Sequence, residues 1–461
     1  MTVTFKSKKN KMKEKLVELL KKVDPAYFYA ILQVVNFIYW LLDQYVIEPI
    51  FNHSLIYGSI KERKRASKDD LVAHVVDVRF MAIMGMGLHY DLSNFLITHD
   101  KYESLDYILN KANVTLFGLG KDNAIFVVTD ESVDIYETKK FPFTSLGQVL
   151  EAKKLVIIDH VTLHRLADRL GDPKVQVSIL NMTCRCGSTL ITQMMSRVPK
   201  VRASAETYPS IHAHALYQEG KISRSEYRAL LRSSIRVQCK VEPTSDIEHI
   251  FMKLNCFNSA QFGILRVLFP KAVLFFNTRQ LAPSSRSLKK VMSNSFVNMI
   301  CTRWGFQWRH LIPQMPVPYD SPKIEEVYTQ YEAQFFPKVT WVEHCALMSA
   351  LVAACYEREP KVYNDIIFYE DLMENPEATM DRIFGIMGMN KEHIDKALSA
   401  LNRDSQNRIL CPRGEQEGVQ LTEKDKDDIN RMFKRFNVPL TCEMSLEEFK
   451  EFFNSRRNEQ K

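Results

Sequence analysis

The sequence predicts an α/β fold in which a parallel sheet is flanked by helices, preceded by N-terminal helices and a small α+β region. From about residue 171 onward, short apolar runs alternate with longer helical patterns, which is the order of elements typical of a parallel sheet. The runs at 175–180, 271–277 and 365–370 are the expected strands. The first of them leads through a turn containing Gly187 into a helical pattern, and the backbone N–H groups of such a turn can bind phosphate.

Residues 1–60 are predicted to form a basic helix followed by an apolar one. The stretch 6–22 holds eight lysines, and 26–42 is an uncharged, aromatic-rich stretch of 17 residues. This length is close to the lower limit for crossing a bilayer, and the lysines would hold the preceding end in the cytosol, as in a signal anchor. An interfacial or half-buried helix is the alternative, because one side of the helix carries the polar residues Gln33, Asn36, Asp43 and Gln44.

The segment between the N-terminus and the α/β unit is expected to be a separate mixed region. The charged stretch 59–70 is interpreted as a linker. Residues 71–170 should contain three strands, at 114–120, 123–130 and 154–159, and a helix at 160–170. No chemical motif occurs there, and no function is assigned to it. The turn at 171–174 then opens the α/β domain, which is predicted to extend to residue 461.

Composition sets wide limits on function. The 461 residues include 62 Lys and Arg against 55 Asp and Glu, a net charge of +7. That charge suits an anionic ligand or a membrane surface but is too small to indicate nucleic acid binding. The 12 histidines and nine cysteines show no metal-type spacing, so no metal is expected. Cys184 and Cys186 form a C-x-C pair, which is interpreted as small residues that fit a tight turn.

The turn "CRCGSTL" (184–190) carries the first specific signal. Ser188 stands where an ATP-binding loop would have its lysine, and Arg185 lies two residues before the glycine. This turn resembles the 5′-phosphosulfate loop of sulfotransferases. The resemblance implies 3′-phosphoadenosine 5′-phosphosulfate as co-substrate, with Arg185 supplying the positive charge. The backbone N–H groups that would hold its phosphosulfate end are those of Cys186, Gly187, Ser188 and Thr189.

Three further segments follow in the same order as in that family and extend the resemblance over about residues 175–435. An apolar strand is followed by Arg279 and, eight residues later, by Ser287, which is similar to the segment that binds the 3′-phosphate. The stretch 368–389 closely resembles a structural segment near the sulfotransferase C-terminus. Arg413, in "CPRGEQEG", is matched to a late loop that also contacts the 3′-phosphate.

The resemblance is closest to the tyrosylprotein and glycan branch, and it implies the catalytic residues. Glu206 lies 21 residues after Arg185, at the spacing of that branch's general base; a half-desolvated carboxylate can take the proton of an attacking hydroxyl. Lys253 matches a lysine near the bridging oxygen of the donor, where a cation offsets charge on the leaving phosphate. The structural alternatives are a glutamate that caps or pairs locally and a solvated surface lysine.

Several residues depart from the branch pattern. Cys184 and Cys186 replace a proline and a serine, and Ala205 replaces the first of two glutamates. Tyr208 stands where the tyrosylprotein enzymes have an arginine that recognises acidic peptides. The predicted function is therefore sulfuryl transfer to a hydroxyl of a glycan, a tyrosine or a small molecule. The alternatives are a P-loop kinase or NTPase, whose lysine is missing here, and a non-catalytic membrane-associated module that has kept the fold.

The expected partners are a hydroxyl-bearing acceptor and, through the N-terminus, a membrane; no nucleic acid is expected. A membrane-associated location follows, as a single-pass type II protein of the Golgi, with a cytoplasmic location as the alternative. Acceptor specificity is expected in variable loops such as 207–250 and 305–340.

Overall fold

The computed structural model describes the chain in five stretches, which hold a long N-terminal helix, an antiparallel sheet and a parallel sheet. The parallel sheet with helices around it confirms the predicted α/β class, and the antiparallel sheet is the predicted α+β region. The described residues are 25–66, 72–83, 91–293, 341–402 and 419–458.

The N-terminal helix is longer than the apolar stretch that predicted it. Helix α1 (Pro25–Leu42) continues through a π-helical turn (Asp43–Ile47) into α2 (Glu48–Phe51). Asn52 then adopts a left-handed conformation with φ 54°, which ends the helix; asparagine is one of the few residues that accept this conformation readily. The basic stretch 6–22 lies outside the described residues.

A hairpin and a short helix follow. Strands β1 (His53–Ser54) and β2 (Gly58–Ser59) pair with each other, and α3 (Ile60–Ala66) begins directly after them. The Glu62 carboxylate accepts the Ser59 backbone N–H at 2.9 Å, which caps the first turn. The prediction of a linker was therefore wrong for residues 60–66, because a local cap starts a helix in this charged segment.

The antiparallel sheet has five strands in the order β4-β3-β7-β6-β5. Three strands and the helix at 160–170 were predicted, and the first two strands were not. The strands are β3 (Val72–Met81), β4 (Phe95–Ser104), β5 (Val114–Leu119), β6 (Asn123–Val128) and β7 (Lys154–Asp159). The helices beside them are α4 (Asp106–Leu109), α5 (Thr144–Glu151) and α6 (His160–Leu170).

The parallel sheet also has five strands, in the order β12-β11-β8-β10-β9. The three predicted strands are confirmed, while β9 and β10 were not predicted. The strands are β8 (Gln176–Met182), β9 (Val201–Ala205), β10 (His249–Lys253), β11 (Val273–Thr278) and β12 (Asp365–Phe368). Strand β10 lies between β8 and β9, so Lys253 is in register with Leu180 on one side and Ala205 on the other.

Helices surround the parallel sheet and fill most of the segment 207–250. The expectation of a variable loop in that segment was wrong, because apolar side chains of both of its helices are buried in the core; residues 305–340 lie outside the described residues. The helices are α7 (Ser188–Met195), α8 (Pro209–Gln218), α9 (Arg224–Gln238), α10 (Phe262–Leu268), α11 (Leu281–Ser293), α12 (Trp341–Arg358), α13 (Tyr369–Glu374), α14 (Pro376–Met387), α15 (Ile394–Leu398), α16 (Glu423–Arg435) and α17 (Leu446–Asn458).

The two sheets share one hydrophobic core. Buried side chains of β3, such as Val75, and of β8, such as Ile179, belong to the same cluster. Helix α8 joins the sheets: the Leu119 N–H donates to His212 Nδ1 at 3.0 Å. A Cβ on Gly118 would lie 2.8 Å from the same imidazole, so the close approach needs glycine. The division at residue 171 stays a prediction about domains.

Candidate functional site

The predicted site residues follow the carboxyl ends of neighbouring parallel strands. Arg185 follows β8, Glu206 follows β9, Lys253 ends β10 and Arg279 follows β11. Carboxyl ends of parallel strands meet at one edge of a sheet, which is where open α/β folds bind their ligands. The sheet thus brings together residues up to 94 positions apart.

The loop after β8 has a strained backbone. Arg185 has φ 59° and Gly187 has φ 83°, and Gly187 is the residue before the first turn of α7. A Cβ on Gly187 would lie 2.5 Å from Cδ2 of Tyr369, so only glycine fits between this turn and that ring. Glu206 has φ 52° and is also left-handed. Two of the five described non-glycine residues with positive φ therefore lie in the candidate site, and such strain is concentrated at functional sites.

Two side chains of the loop are turned away from the sheet edge. The Cys186 thiol is buried and donates to Asn277 Oδ1 at 2.6 Å. Burial raises the pKa of this thiol to about 12, so it stays neutral. The Ser188 hydroxyl lies 2.7 Å from Sδ of Met182. Any contact of these two residues with a bound anion is therefore left to their backbone N–H groups.

A buried lysine connects the loop to the candidate base. The Lys253 amine donates to Glu206 Oε1 at 2.6 Å and to Thr189 Oγ1 at 3.0 Å. Its side chain is 1% exposed and that of Glu206 is 16% exposed. The amine also lies 5.2 Å from the centre of the Phe143 ring, and Asn255 Nδ2 approaches the second carboxylate oxygen of Glu206 at 3.5 Å. The alternative of a solvated surface lysine is excluded by this burial.

The two residues predicted to bind the 3′-phosphate lie beside Arg185. Arg185 Nε donates to the Ser287 hydroxyl at 3.0 Å, and an Arg279 guanidinium nitrogen lies 3.5 Å from the Arg185 carbonyl oxygen. The Arg279 guanidinium packs on the Tyr369 ring with 4.2 Å to its centre. Its Nε is buried and has no hydrogen-bond partner in the described part of the chain. Arg185 and the distant Arg279–Ser287 segment thus form one cationic cluster with an unused donor.

Sequence reasoning missed one residue of this cluster, Tyr369, and a buried lysine on α11, Lys290. Tyr369 was assigned to a structural segment, but its ring contacts both the glycine turn and Arg279. Lys290 is 5% exposed, and within the described ranges its amine has no hydrogen-bond partner. Lys290 is three positions after Ser287 on α11, so the two lie on the same side of that helix. An apolar strand followed by a tyrosine, and an i, i+3 Ser–Lys pair, are the signals that could have revealed them.

A pair of thiols lies at the loop. Sγ of Cys184 is 3.8 Å from Sγ of Cys256, at the beginning of the 3₁₀ turn (Cys256–Gln261) after β10. The hydrogen bond from the Cys256 thiol lowers the pKa of Cys184, and the same contact raises that of Cys256. The thiols of the C-x-C pair therefore have different surroundings: that of Cys186 is buried against β11, whereas that of Cys184 faces the thiol of Cys256.

Arg413 lies outside the described residues. Among the residues that the structure describes, no group of three or more His, Cys, Asp or Glu side chains is arranged to hold a metal ion.

No family model matches the chain, and no curated protein matches it. Solved structures to which the chain is similar are sulfotransferases, as the sequence resemblance implied. A sulfotransferase from Alicyclobacillus acidocaldarius is 9% identical with a TM-score of 0.32, covering 60% of this chain and 99% of its own. One from Mycobacterium avium is 13% identical with a TM-score of 0.33, covering 61% and 82%. The sulfotransferase domain of the Synechococcus olefin synthase is 13% identical with a TM-score of 0.28, covering 62% and 94%.

Likeness at this level carries no functional argument by itself.

Proposed function

We propose that this chain is a sulfotransferase that moves a sulfuryl group from 3′-phosphoadenosine 5′-phosphosulfate to a hydroxyl acceptor. The observation that carries the proposal is the position of Lys253. A buried lysine from β10 reaches the phosphate-type loop at Thr189 and also pairs with the candidate base. An ATP-binding loop would supply its lysine from the position that Ser188 holds. The Lys253 cation therefore lies between the loop and the Glu206 carboxylate. In sulfuryl transfer a negative charge develops on the leaving phosphate and the acceptor loses a proton, and a cation at this position stabilises that charge.

The residues present fit the donor. Gly187 precedes the first turn of α7, and the backbone N–H groups at the start of a helix are suited to bind an anion. Arg279 Nε and the Lys290 amine are buried donors without a partner in the described ranges. Leaving such groups unpaired is costly, and an oxyanion would satisfy them. Arg279 and Ser287 would hold the 3′-phosphate, and Arg185 with the loop would hold the 5′-phosphosulfate. Lys290 would be an additional cation, and Arg413 is assigned by resemblance alone.

The chain's own residues then have distinct tasks in the transfer. The acceptor oxygen forms a bond to sulfur, the bond from sulfur to the 5′-phosphate oxygen breaks, and the acceptor proton goes to the Glu206 carboxylate. Lys253 and Arg185 offset the negative charge on the leaving phosphate. In the structure Lys253 also fixes the orientation of Glu206 through their 2.6 Å contact. The left-handed backbone of Glu206 is held by its N–H, which donates to the Lys253 carbonyl at 2.8 Å.

Donor binding tests the proposal through thermal stability. 3′-Phosphoadenosine 5′-phosphate should raise the melting temperature, while AMP and ATP should do so far less, because they lack the 3′-phosphate. Arg279→Ala should weaken this ligand about tenfold to a hundredfold, since a hydrogen bond to a charged group is worth roughly 1.5–3 kcal/mol. Arg286→Ala is the matched control, because Arg286 is exposed on the same helix. Equal stabilisation by ATP would support the kinase or NTPase alternative.

A second variant separates binding from chemistry. Glu206→Gln should leave donor binding nearly intact while lowering transfer of labelled sulfuryl groups to hydroxyl acceptors by about a hundredfold or more. Equal loss of donor affinity would make Glu206 a structural residue. Donor binding without transfer by the wild-type chain to glycans, tyrosine peptides or small alcohols would support the non-catalytic module. We place the acceptor among these three classes, with the tyrosylprotein and glycan branch as the expectation from sequence.

We also propose that the protein acts at a membrane. Among the described residues, one helix, Phe28–Phe51, is long and apolar enough to cross a bilayer. A single-pass type II protein of the Golgi and, as the alternative, a cytoplasmic protein are the two locations expected from the sequence. They differ in whether this helix crosses the bilayer, which protease protection of intact membrane vesicles would measure.

A further inference from the structure

We propose that the outward face of α1 and α2 binds the surface of an anionic lipid bilayer, with the helix lying parallel to the membrane rather than crossing it. The proposal concerns how the protein is held and does not depend on the proposed reaction. It rests on which side of the helix packs against the protein body.

The polar side of α1 faces the antiparallel sheet. The Tyr29 hydroxyl lies 2.8 Å from the Ser93 hydroxyl, and Gln33 Nε2 donates to the Ser93 carbonyl at 2.9 Å. One turn further along, Asn36 Nδ2 donates to the Phe95 carbonyl at 3.2 Å. Two of the polar residues that left the sequence ambiguous, Gln33 and Asn36, therefore dock the helix onto the beginning of β4.

The two charged residues of the helix are also directed inward. Asp43 is fully buried, and its carboxylate accepts the Ser54 hydroxyl at 2.6 Å and the Leu55 N–H. Glu48 forms an ion pair with Arg63 of α3. Both charged side chains of the described helix are thus paired on its inward side. The outward side can enter the apolar part of a bilayer without the cost of burying an unpaired charge.

The outward side is an apolar stripe. Only 17% of the helix's most apolar stretch is buried, whereas a core helix would be mostly buried. Nine of the 14 exposed large apolar side chains in the described ranges lie on this helix, at the i, i+3, i+4 spacing of one face. They are Ile31, Val34, Val35, Ile38, Leu42, Tyr45, Val46, Ile50 and Phe51.

Docking of the polar side is incompatible with crossing. The contacts to the body extend from Tyr29 to Asp43, which is about 21 Å of helix at 1.5 Å per residue. A bilayer's hydrocarbon core is about 30 Å thick. A helix that crosses it would draw the start of β4 and the hairpin into the hydrocarbon, or would lose these hydrogen bonds. A helix that lies parallel to the membrane keeps all of these hydrogen bonds and inserts only its apolar stripe into the bilayer.

Basic residues that precede and follow the helix in the sequence favour an anionic lipid surface as the occupant of the stripe. The eight lysines of 6–22 precede the helix in sequence, and α3, which follows it, exposes Lys61 and Arg65. Basic residues beside an apolar helix face are the combination that binds anionic headgroups. Tyr45 and Phe51, which are 70% and 68% exposed, add aromatic rings at the end of the stripe, as is common at membrane interfaces.

Vesicle sedimentation of the full-length chain tests the proposal. The wild type should sediment with phosphatidylcholine vesicles that contain phosphatidylserine and should be released by high salt more readily than by dilution alone. The triple variant Ile38→Ser, Ile50→Ser, Phe51→Ser should lower the partition coefficient by about a hundredfold, because three apolar side chains no longer leave water. Its melting temperature should be unchanged, since all three residues are exposed.

The matched control changes exposed apolar residues elsewhere. Val161→Ser on α6 and Val267→Ser on α10 replace side chains that are 61% and 65% exposed, and together they should leave vesicle binding unaltered. In cells, alkaline carbonate should release the wild-type protein from membranes. Retention in the carbonate pellet would overturn the parallel orientation and establish a crossing helix.

The same experiments would also detect two other ways in which the stripe could be covered. A wild-type dimer in solution that the triple variant converts to a monomer would assign the stripe to a second copy of the chain. Absence of vesicle binding, together with a melting temperature lowered by several degrees in the triple variant, would show that the chain covers the stripe itself. Either result overturns the proposal.

Discussion

Replacing Gly187 by alanine tests the geometry of the loop that the proposed donor site depends on. The substitution places a methyl group at φ 83°, and its carbon would lie 2.5 Å from Cδ2 of Tyr369. Carbon atoms in contact are normally about 3.5–4.0 Å apart, so the overlap is roughly 1 Å. Tyr369 is not free to swing away without cost, because the Arg279 guanidinium packs on its ring at 4.2 Å.

The expected cost has two parts. A left-handed conformation costs a non-glycine residue about 1–2 kcal/mol, and overpacking typically costs about 1–3 kcal/mol. Gly187→Ala should therefore lower the unfolding free energy by about 2–5 kcal/mol. Gly220→Ala separates the parts, since Gly220 has φ 69° but no atom within 4 Å of an added Cβ. That variant should lose only the conformational part, about 1–2 kcal/mol.

Urea unfolding of the two glycine variants, of Tyr369→Ala alone, and of Gly187→Ala combined with Tyr369→Ala forms the assay. Removal of the ring should return most of the overpacking part, which gives a coupling energy of about 1–3 kcal/mol between the two positions. Affinity for 3′-phosphoadenosine 5′-phosphate should fall for Gly187→Ala and stay unchanged for Gly220→Ala. The reasoning is refuted if the two glycine variants lose the same stability, or if the loss persists in full without the tyrosine ring.

Three further predictions concern charge and thiols. Lys253→Met leaves the carboxylate of Glu206 without its buried cation and should cost about 3 kcal/mol of unfolding free energy in a urea titration; an unchanged value would contradict it. Diamide should link Cys184 to Cys256, and peptide mapping without that disulfide would contradict their 3.8 Å separation. Burial lowers the pKa of His74 to about 3, so below about pH 6.5 the unfolded chain binds a proton there that the folded protein does not. Stability should fall as pH drops toward 4, and His74→Gln should reduce that slope by about 1.4 kcal/mol per pH unit.

Much of the fold could be predicted from the sequence because the patterns that indicate its strands and helices are local. Strands β8, β11 and β12 and helix α6 were predicted within two residues of their bounds, since apolar periodicity and turn residues lie next to each other in the chain. The strand β10 was not recognised, although Lys253 at its end was. Its five residues include a histidine and a lysine, and they are stabilised as a strand by pairing with β8 and β9 rather than by their own pattern.

Through its resemblance to sulfotransferases, the sequence also predicted a role for each residue of the loop, for the arginine–serine segment and for the glutamate. It could not show which of them touch. The strand order placed β10 between β8 and β9, and only this order brings the Lys253 amine to both Thr189 and Glu206. Tyr369 became visible as a site residue for the same reason, because Gly187 and Arg279, which its ring contacts, are distant from it in the chain.

The N-terminal helix shows the same division most clearly. The sequence by itself determined that residues 26–42 form a helix with an apolar side and a polar side, because both properties follow from a repeat of 3.6 residues. Which side faces the protein depends on partners elsewhere in the chain. Hydrogen-bond acceptors at Ser93 and Phe95 are in reach of the polar side, and an apolar side packed at the same place would leave these carbonyl groups buried without a partner. Tertiary structure alone therefore decided that the polar side is docked and the apolar side is left facing outward.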